Sequence, residues 1–287
     1  MTFNEYTLAH EPAIRLAAFF GIFALMAAWE VAAPRRVRLH SRAVRWTANL
    51  GLVVLNTVLL RLLFPLAAVG FAAFAAERGW GLLNNLALPE PLALLLAVVA
   101  MDFAIWAQHV MVHAVPVLWR LHQVHHADPD YDVTTGARFH PIEIVLSMLI
   151  KFSVIAVLGA PAAAVLVFEV LLNATAMFNH GNVKLPEGVD GLLRLLVVTP
   201  DMHRVHHSTA NAEANSNFGF SLPWWDRLFG TYRATTQLPQ ERMNIGVEGL
   251  TGDPACVRLA GMLAIPFRHG GDGYAIGHSP EASHDAR

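Results

Sequence analysis

The chain has 287 residues, a mean hydropathy of +0.43 and only 15% charged residues. An ordinary soluble domain carries roughly 25% charged residues, so these values argue against a water-soluble globule. A net charge of −2 gives no basis for nucleic-acid binding, and the single cysteine, Cys256, excludes an intrachain disulfide and argues against a thiolate-ligated metal.

Residues 13–33, AIRLAAFFGIFALMAAWEVAA, are long enough to cross a bilayer, which takes about 20 residues. Glu5 and Glu11 precede this run and arginines follow it, the wrong order for a signal peptide. The next segment, RRVRLHSRAVR, holds Arg35, Arg36, Arg38, Arg42 and Arg45 and no acid. The positive-inside rule predicts that this loop is cytoplasmic, which puts the N-terminus and the 77–90 loop outside. A second apolar run at 47–76 and a third at 91–112 return the chain to the cytoplasm near His109.

The fourth apolar region, 142–178, is too long for one span and is broken by Gly159-Ala160-Pro161. A single crossing would carry His180 away from the other histidines, so a helical hairpin is predicted, with Gly159 ending its first helix and Pro161 starting the second. Lys151 and Glu169 lie nine residues either side of Ala160, at equal depth in such a hairpin. Each alone would cost about 2.5–3.5 kcal/mol at mid-membrane, so an ion pair is expected. The resulting division is residues 1–90 as N-terminal membrane helices and 91–235 as a histidine-rich unit containing the 142–178 hairpin. Residues 236–268 form a segment packing on that unit, and 269–287, polar and Gly-rich, a disordered tail. The fold class is all-α: an integral-membrane bundle of about three full spans plus the hairpin, with a cytoplasmic histidine-rich helical cap.

Histidine is the outlier of the composition, with 15 copies, nine of them clustered. They are His109 and His113 in QHVMVH, His122, His125 and His126 in HQVHH, His180 in FNHGNV, and His203, His206 and His207 in HRVHH. On a helix, positions i and i+4 share a face. His109 and His113 therefore point one way. In each H-x-x-H-H the first and last histidines share a face and the middle one is offset, so one triplet can serve two adjacent metals. Nine imidazoles exceed the four ligands of a tetrahedral zinc and suit two metals with four or five nitrogens each. Imidazole suits zinc, copper, iron and nickel alike, so the donor type does not select the metal.

The pattern H-x3-H, H-x2-H-H, H-x2-H-H resembles the fatty acid hydroxylase / sterol desaturase superfamily of membrane non-heme diiron oxygenases. The likeness extends to DFAIWAQHVMVH, LWRLHQVHHADPDYDVTTGARFHPIE and NFGFSLPWWDRLFGTY and covers about residues 90–235, with a weaker echo at IPFR, 265–268. The acyl-lipid desaturases place their first two boxes much farther apart than the eight residues between His113 and His122. Two positions depart from the family: Val110 replaces an arginine, and Ala176 stands where some relatives carry a histidine before the one matching His180.

The resemblance implies that the nine histidines bind two iron ions, that no other side chain is catalytic, and that O2 is the cosubstrate. Zinc can substitute in a purified sample. It implies hydroxylation or desaturation of a C–H bond in a sterol or other terpenoid, a fatty acyl chain or an ether lipid. Electrons would come from a separate ferredoxin- or cytochrome-like protein, because the sequence holds neither a heme-type HPGG segment nor a cysteine cluster. His140 is a candidate extra ligand or supporting residue. Asp102, Asp128, Asp201 and Glu143 are candidates to accept the second N–H of a ligand histidine. For Asp102, two turns before His109, an ion pair with Arg61 competes with that role. For Asn217 and Asp226 a structural role is expected over one bracing the histidine helices. The competing reading is a membrane metal-binding or metal-sensing protein without turnover.

Overall fold

The computed structural model describes residues 3–270 and Ile276. Among the described residues there is no sheet, only two isolated bridges, Pro34–Val183 and Ser208–Ile245. After a short helix α1 (Phe3–Ala9) come the long apolar helices α2 (Glu11–Ala32) and α3 (Arg42–Leu63), then α4 (Ala67–Glu77) and α5 (Glu90–Ala114). α6 (Pro116–His126) follows directly. The hairpin helices are α7 (Pro141–Leu158) and α8 (Ala162–Asn179). The remaining helices are short: α9 (Glu187–Leu193), α10 (Pro200–His206), α11 (Asn211–Ala214), α12 (Trp224–Leu228) and α13 (Leu259–Arg268).

Among the described residues, five helical stretches are long and apolar enough to cross a membrane: Glu11–Ala32, Arg42–Glu77, Glu90–Ala114, Pro141–Leu158 and Ala162–Asn179. The run expected at 47–76 is divided. α3 ends at Leu63 and α4 begins at Ala67, because Pro65 lacks an N–H and disfavours a helical residue before it. α4 then packs on the hairpin.

The hairpin turns where the sequence placed it. Gly159 caps α7 in the left-handed region, φ 69°, and Pro161 is the N-cap of α8. A Cβ on Gly159 would sit 2.8 Å from Trp80 O, and one on Gly81 would sit 2.0 Å from Gly159 N. The turn and the 79–85 loop thus pack backbone to backbone, at the end opposite the histidines. α8 is the central helix, packing on α1, α2, α4, α5 and α10; Ala162, Ala163 and Ala164 on it are buried and let neighbours approach closely. The expected ion pair is present, Lys151 Nζ to Glu169 Oε1 at 2.5 Å. A third partner joins it from α2: Arg15 Nη2 reaches Glu169 Oε2 at 2.6 Å.

The arginine loop lies at the histidine end. Arg35 and Arg36 N–H groups donate to Asn182, and Arg45 is buried against Asp128 at 2.7 Å and Asp132 at 2.5 Å. The C-terminal segment caps the same end: α13 packs on α6 and α3, and Arg120 Nε donates to Pro266 O. His269, assigned to the tail in sequence, is tied to Gln123 by hydrogen bonds of 3.0 and 2.9 Å. Residues 271–275 and 277–287 of that tail lie outside the described residues.

Candidate metal centre

The nine histidines converge from α5, α6, the end of α8 and α10, and none is more than 2% exposed. Their ligand nitrogens fall into two groups. His109, His113, His122, His126 and His206 form one; His125, His180, His203 and His207 form the other. Helical phase decides the division. His109 and His113 are an i, i+4 pair, as are His122 and His126, and each pair stays together. His203 and His207 likewise share a group, while the offset members, His125 and His206, cross to the opposite one.

The hydrogen positions follow from the acceptors around the rings. Nδ1 of His109 faces Phe218 O at 2.7 Å, that of His206 faces Ser216 O at 2.8 Å, and that of His180 faces Ala176 O at 2.8 Å. His122 Nδ1 faces the Glu143 carboxylate at 2.6 Å and His113 Nδ1 faces Asn215 Oδ1 at 3.2 Å. Each of these rings carries its hydrogen on Nδ1 and presents a lone pair at Nε2. Yet Nε2 atoms approach one another: His109–His206 at 3.0 Å, His109–His122 at 3.1 Å, His113–His126 at 3.1 Å and His125–His180 at 3.2 Å.

In the His109–His206 and His109–His122 contacts both atoms are therefore lone-pair nitrogens, which repel unless a cation lies between them. Metal–nitrogen bonds of about 2.0–2.1 Å put nitrogens at right angles about 2.9 Å apart and tetrahedral ones about 3.3 Å apart. The observed contacts fall within that range, and the five-nitrogen set exceeds the four ligands of a tetrahedral zinc.

Electrostatics keep the donors available. Burial pushes His125, His126, His203 and His207 well below the usual histidine range, and neighbouring imidazoles push them further. Burial likewise lowers His180 and His206 to about 3. These rings are neutral at physiological pH, the form that binds metal. Packing also orients them: His125 stacks on Phe139 with centroids 4.5 Å apart, and Tyr131 stacks on His180 while its hydroxyl donates to Asn179 O.

The supporting residues are sorted differently from the sequence reading. Glu143 holds His122, as a second-sphere carboxylate does. His140 joins neither group. It is the N-cap of α7, its Nδ1 accepting from Ile142 N at 3.2 Å, because the following Pro141 starts that helix. Asp102 holds neither a histidine nor Arg61; its Oδ2 accepts from Trp225 Nε1 at 2.8 Å, locking α5 to the 217–232 segment. Asp128 binds Arg45, Asn49 and Thr135, and Asp201 binds Arg35 and Arg204, so both fasten loops rather than rings.

Asp226 accepts from Phe218 N, Gly219 N and Trp106 Nε1, and Asn217, at φ 52°, donates to Met202 O. Together they fix the backbone whose Phe218 carbonyl holds His109. Sequence reasoning missed those backbone acceptors, which leave no residue-type signal. It also passed over Glu30, whose Oε1 accepts from Val133 N and Asn182 N and pins the loops beside His125 and His180. An acid inside the first apolar run was the available signal.

A cavity of about 310 Å³ opens between α3, α5, α7 and α8. His109, His122 and Glu143 form one end, and Arg15, Lys151 and Glu169 the other.

The fatty acid hydroxylase family model matches residues 94–231. The chain is 32% identical over 193 residues to an ornithine lipid hydroxylase of Rhizobium tropici, covering 67% of this chain and 56% of that protein. It is 30% identical over 155 residues to the alkylglycerol monooxygenase of Homo sapiens, 54% of this chain and 34% of that protein. A very-long-chain aldehyde decarbonylase of Oryza sativa subsp. indica is 30% identical over 209 residues, 70% of this chain and 32% of that protein. The chain thus spans about half the length of the first relative and about a third of the other two. No solved structure matches it.

Proposed function

This chain belongs to the fatty acid hydroxylase family through residues 94–231, and from that premise we infer that it is a multi-pass membrane oxygenase. It hydroxylates or desaturates a C–H bond of a lipid, using O2 and two iron ions. The observation that carries the reading is the grouping of nine buried histidines, five and four, with one ligand nitrogen of each converging on its group, beside a cavity between apolar helices. The names of the relatives point to lipids and long-chain aldehydes as the substrate class; sterol or terpenoid, fatty acyl chain and ether lipid all remain within it.

We assign His109, His113, His122, His126 and His206 to one iron and His125, His180, His203 and His207 to the other. When bound, the two irons supply O2 activation and the two-electron chemistry at the C–H bond. Hydroxylation puts one oxygen atom into that bond and releases the other as water, consuming two electrons and two protons. A separate ferredoxin- or cytochrome-like carrier supplies the electrons, since a single cysteine cannot hold an iron–sulfur cluster in this sequence.

The protein's own residues hold and shield. Phe218 O, Ser216 O, Ala176 O and the Glu143 carboxylate hold the Nδ1 hydrogens, so the rings keep their Nε2 atoms aimed inward. Phe139 and Phe220 wall the cavity beside His109 and His122. We assign the metal centre to the cytoplasmic side; the support is the positive-inside rule applied to the Arg35–Arg45 loop, which bonds to the segments beside the histidines.

The test is lipid mass spectrometry of cells with and without the gene, together with metal analysis of the purified protein. A lipid that gains one oxygen atom or loses two hydrogens only with the intact gene, O2 and reductant supports the reading. Unchanged lipids beside a firmly bound metal would instead support a binding or sensing protein without turnover.

A further inference from the structure

The end of the cavity remote from the histidines is built from charges. Glu169 lies between Lys151 at 2.5 Å and Arg15 at 2.6 Å, with side chains 10%, 14% and 28% exposed. All three line the cavity. Glu11 holds Arg15 Nε at 2.8 Å and does not line it. Among the described residues, the charges facing the cavity at this end are therefore two positive and one negative. Their spare hydrogen-bonding capacity is donor-type: Lys151 Nζ spends one bond on Glu169, and Arg15 uses Nε and Nη2 but not Nη1. Both Glu169 oxygens are already engaged. A set of buried charges is not needed to join helices, since apolar side chains do so at least as well. Between the two ends the wall includes Val53, Ile105, Ile144 and Leu172.

Resting on the reading above, we propose that Arg15 and Lys151 bind the anionic head group, a carboxylate or phosphate, of an amphiphilic substrate. The hydrocarbon chain then runs past the apolar wall towards His109 and His122. Glu169 holds the two cations in place and is a positioning residue. The spacing sets the length. Glu143, bonded to His122, and Lys151 are eight residues apart on α7, about 12 Å along the axis. An extended chain advances about 3.3–3.6 Å per three bonds, so about ten bonds separate the head from the carbon beside the histidines.

Dodecanoate is accordingly the probe. Binding of radiolabelled dodecanoate to the full-length protein in lipid nanodiscs is measured against empty nanodiscs, with unlabelled dodecanoate, dodecyl phosphate and methyl dodecanoate as competitors. Either or both anions are expected to compete at concentrations at least about tenfold lower than the ester, the usual worth of one hydrogen bond to a charged group. Whichever anion competes better identifies the head group. Lys151→Met should weaken the anions by at least about tenfold and leave the ester unchanged, while Lys151→Arg should retain anion binding. Equal competition by ester and anions, no saturable binding above empty nanodiscs, or an unaltered Lys151→Met would overturn the proposal. If Lys151→Met does not accumulate, the comparison of anions with ester on the unmodified protein decides. Binding is read without turnover, so an anion site in a chain that oxidises no lipid would sink the function and keep the site. Lipid oxidation with no preference for the anion would do the reverse.

Discussion

Removing the Glu143 carboxylate is expected to weaken metal binding by the five-histidine group and spare the four-histidine group. His122 Nδ1 lies 2.6 Å from Glu143 Oε1, and the two side chains are 2% and 7% exposed. A hydrogen bond to a charged partner is worth about 1.5–3 kcal/mol. At about 1.4 kcal/mol per tenfold, that is roughly 10–100-fold in affinity. The same range, about 10–100-fold, is typical for losing the partner that orients a metal-bound histidine. Glu143→Gln keeps an acceptor oxygen and loses only the charge, so its loss should fall near the lower figure. Glu143→Leu loses both and should reach the upper one. Competition with a chromophoric chelator for added Fe2+ or Zn2+ measures the affinity, and elemental analysis counts the ions retained. The four-histidine group is the internal control, because its His180 ring is held by Ala176 O rather than by a carboxylate. Glu143→Leu binding both ions as tightly as the unmodified protein would refute the reasoning. So would an equal weakening of both groups, which would mean a general loosening of the fold.

Glu169→Gln should destabilise by about 3–5 kcal/mol, since it leaves Lys151 and Arg15 with no shared carboxylate. Lys151→Met should cost less, because Arg15 remains, and the double variant should recover part of the Glu169→Gln loss; denaturation in detergent showing strict additivity would contradict the triad. Arg45→Leu takes the nearest cation from the buried Asp128 and Asp132 and should also cost about 3–5 kcal/mol, with little loss of folded protein counting against it. Burial would raise the Asp128 carboxyl, but the Arg45 and Arg138 guanidiniums outweigh it and hold it at about 2. That is below the ordinary value near 3.9, so the group contributes roughly 2–3 kcal/mol above about pH 4 and loses it as pH falls through about 2. Asp128→Asn should flatten that part of the stability–pH curve, and an acid limb identical to that of the unmodified protein would argue against it. A reporter fused after Arg233 should read as cytoplasmic; a periplasmic or lumenal signal would reverse the assigned topology.

The membrane helices and their hairpin were legible in the sequence because both follow from local composition. Apolar length marks a span, and Gly159-Ala160-Pro161 marks a turn without reference to any distant residue. The Lys151–Glu169 pair was legible for the same reason, since a hairpin fixes which residues share a depth. So was the facing of histidines within each box, where helical phase alone keeps His109 with His113, His122 with His126, and His203 with His207. What lay beyond the sequence joins segments far apart in the chain. Which box meets which depends on how α5, α6, α8 and α10 dock. Arg15 meets Glu169 across 154 positions, and no periodicity announces such a contact. Asp102 shares a helix face with His109, yet a tryptophan 123 positions away claims it, because its geometry offers a nearer donor than the ring. The carbonyls of Ala176, Ser216 and Phe218 become histidine acceptors through backbone position, and every residue has a carbonyl. Helical phase set the direction of each ring, and tertiary packing alone decided what each ring faces.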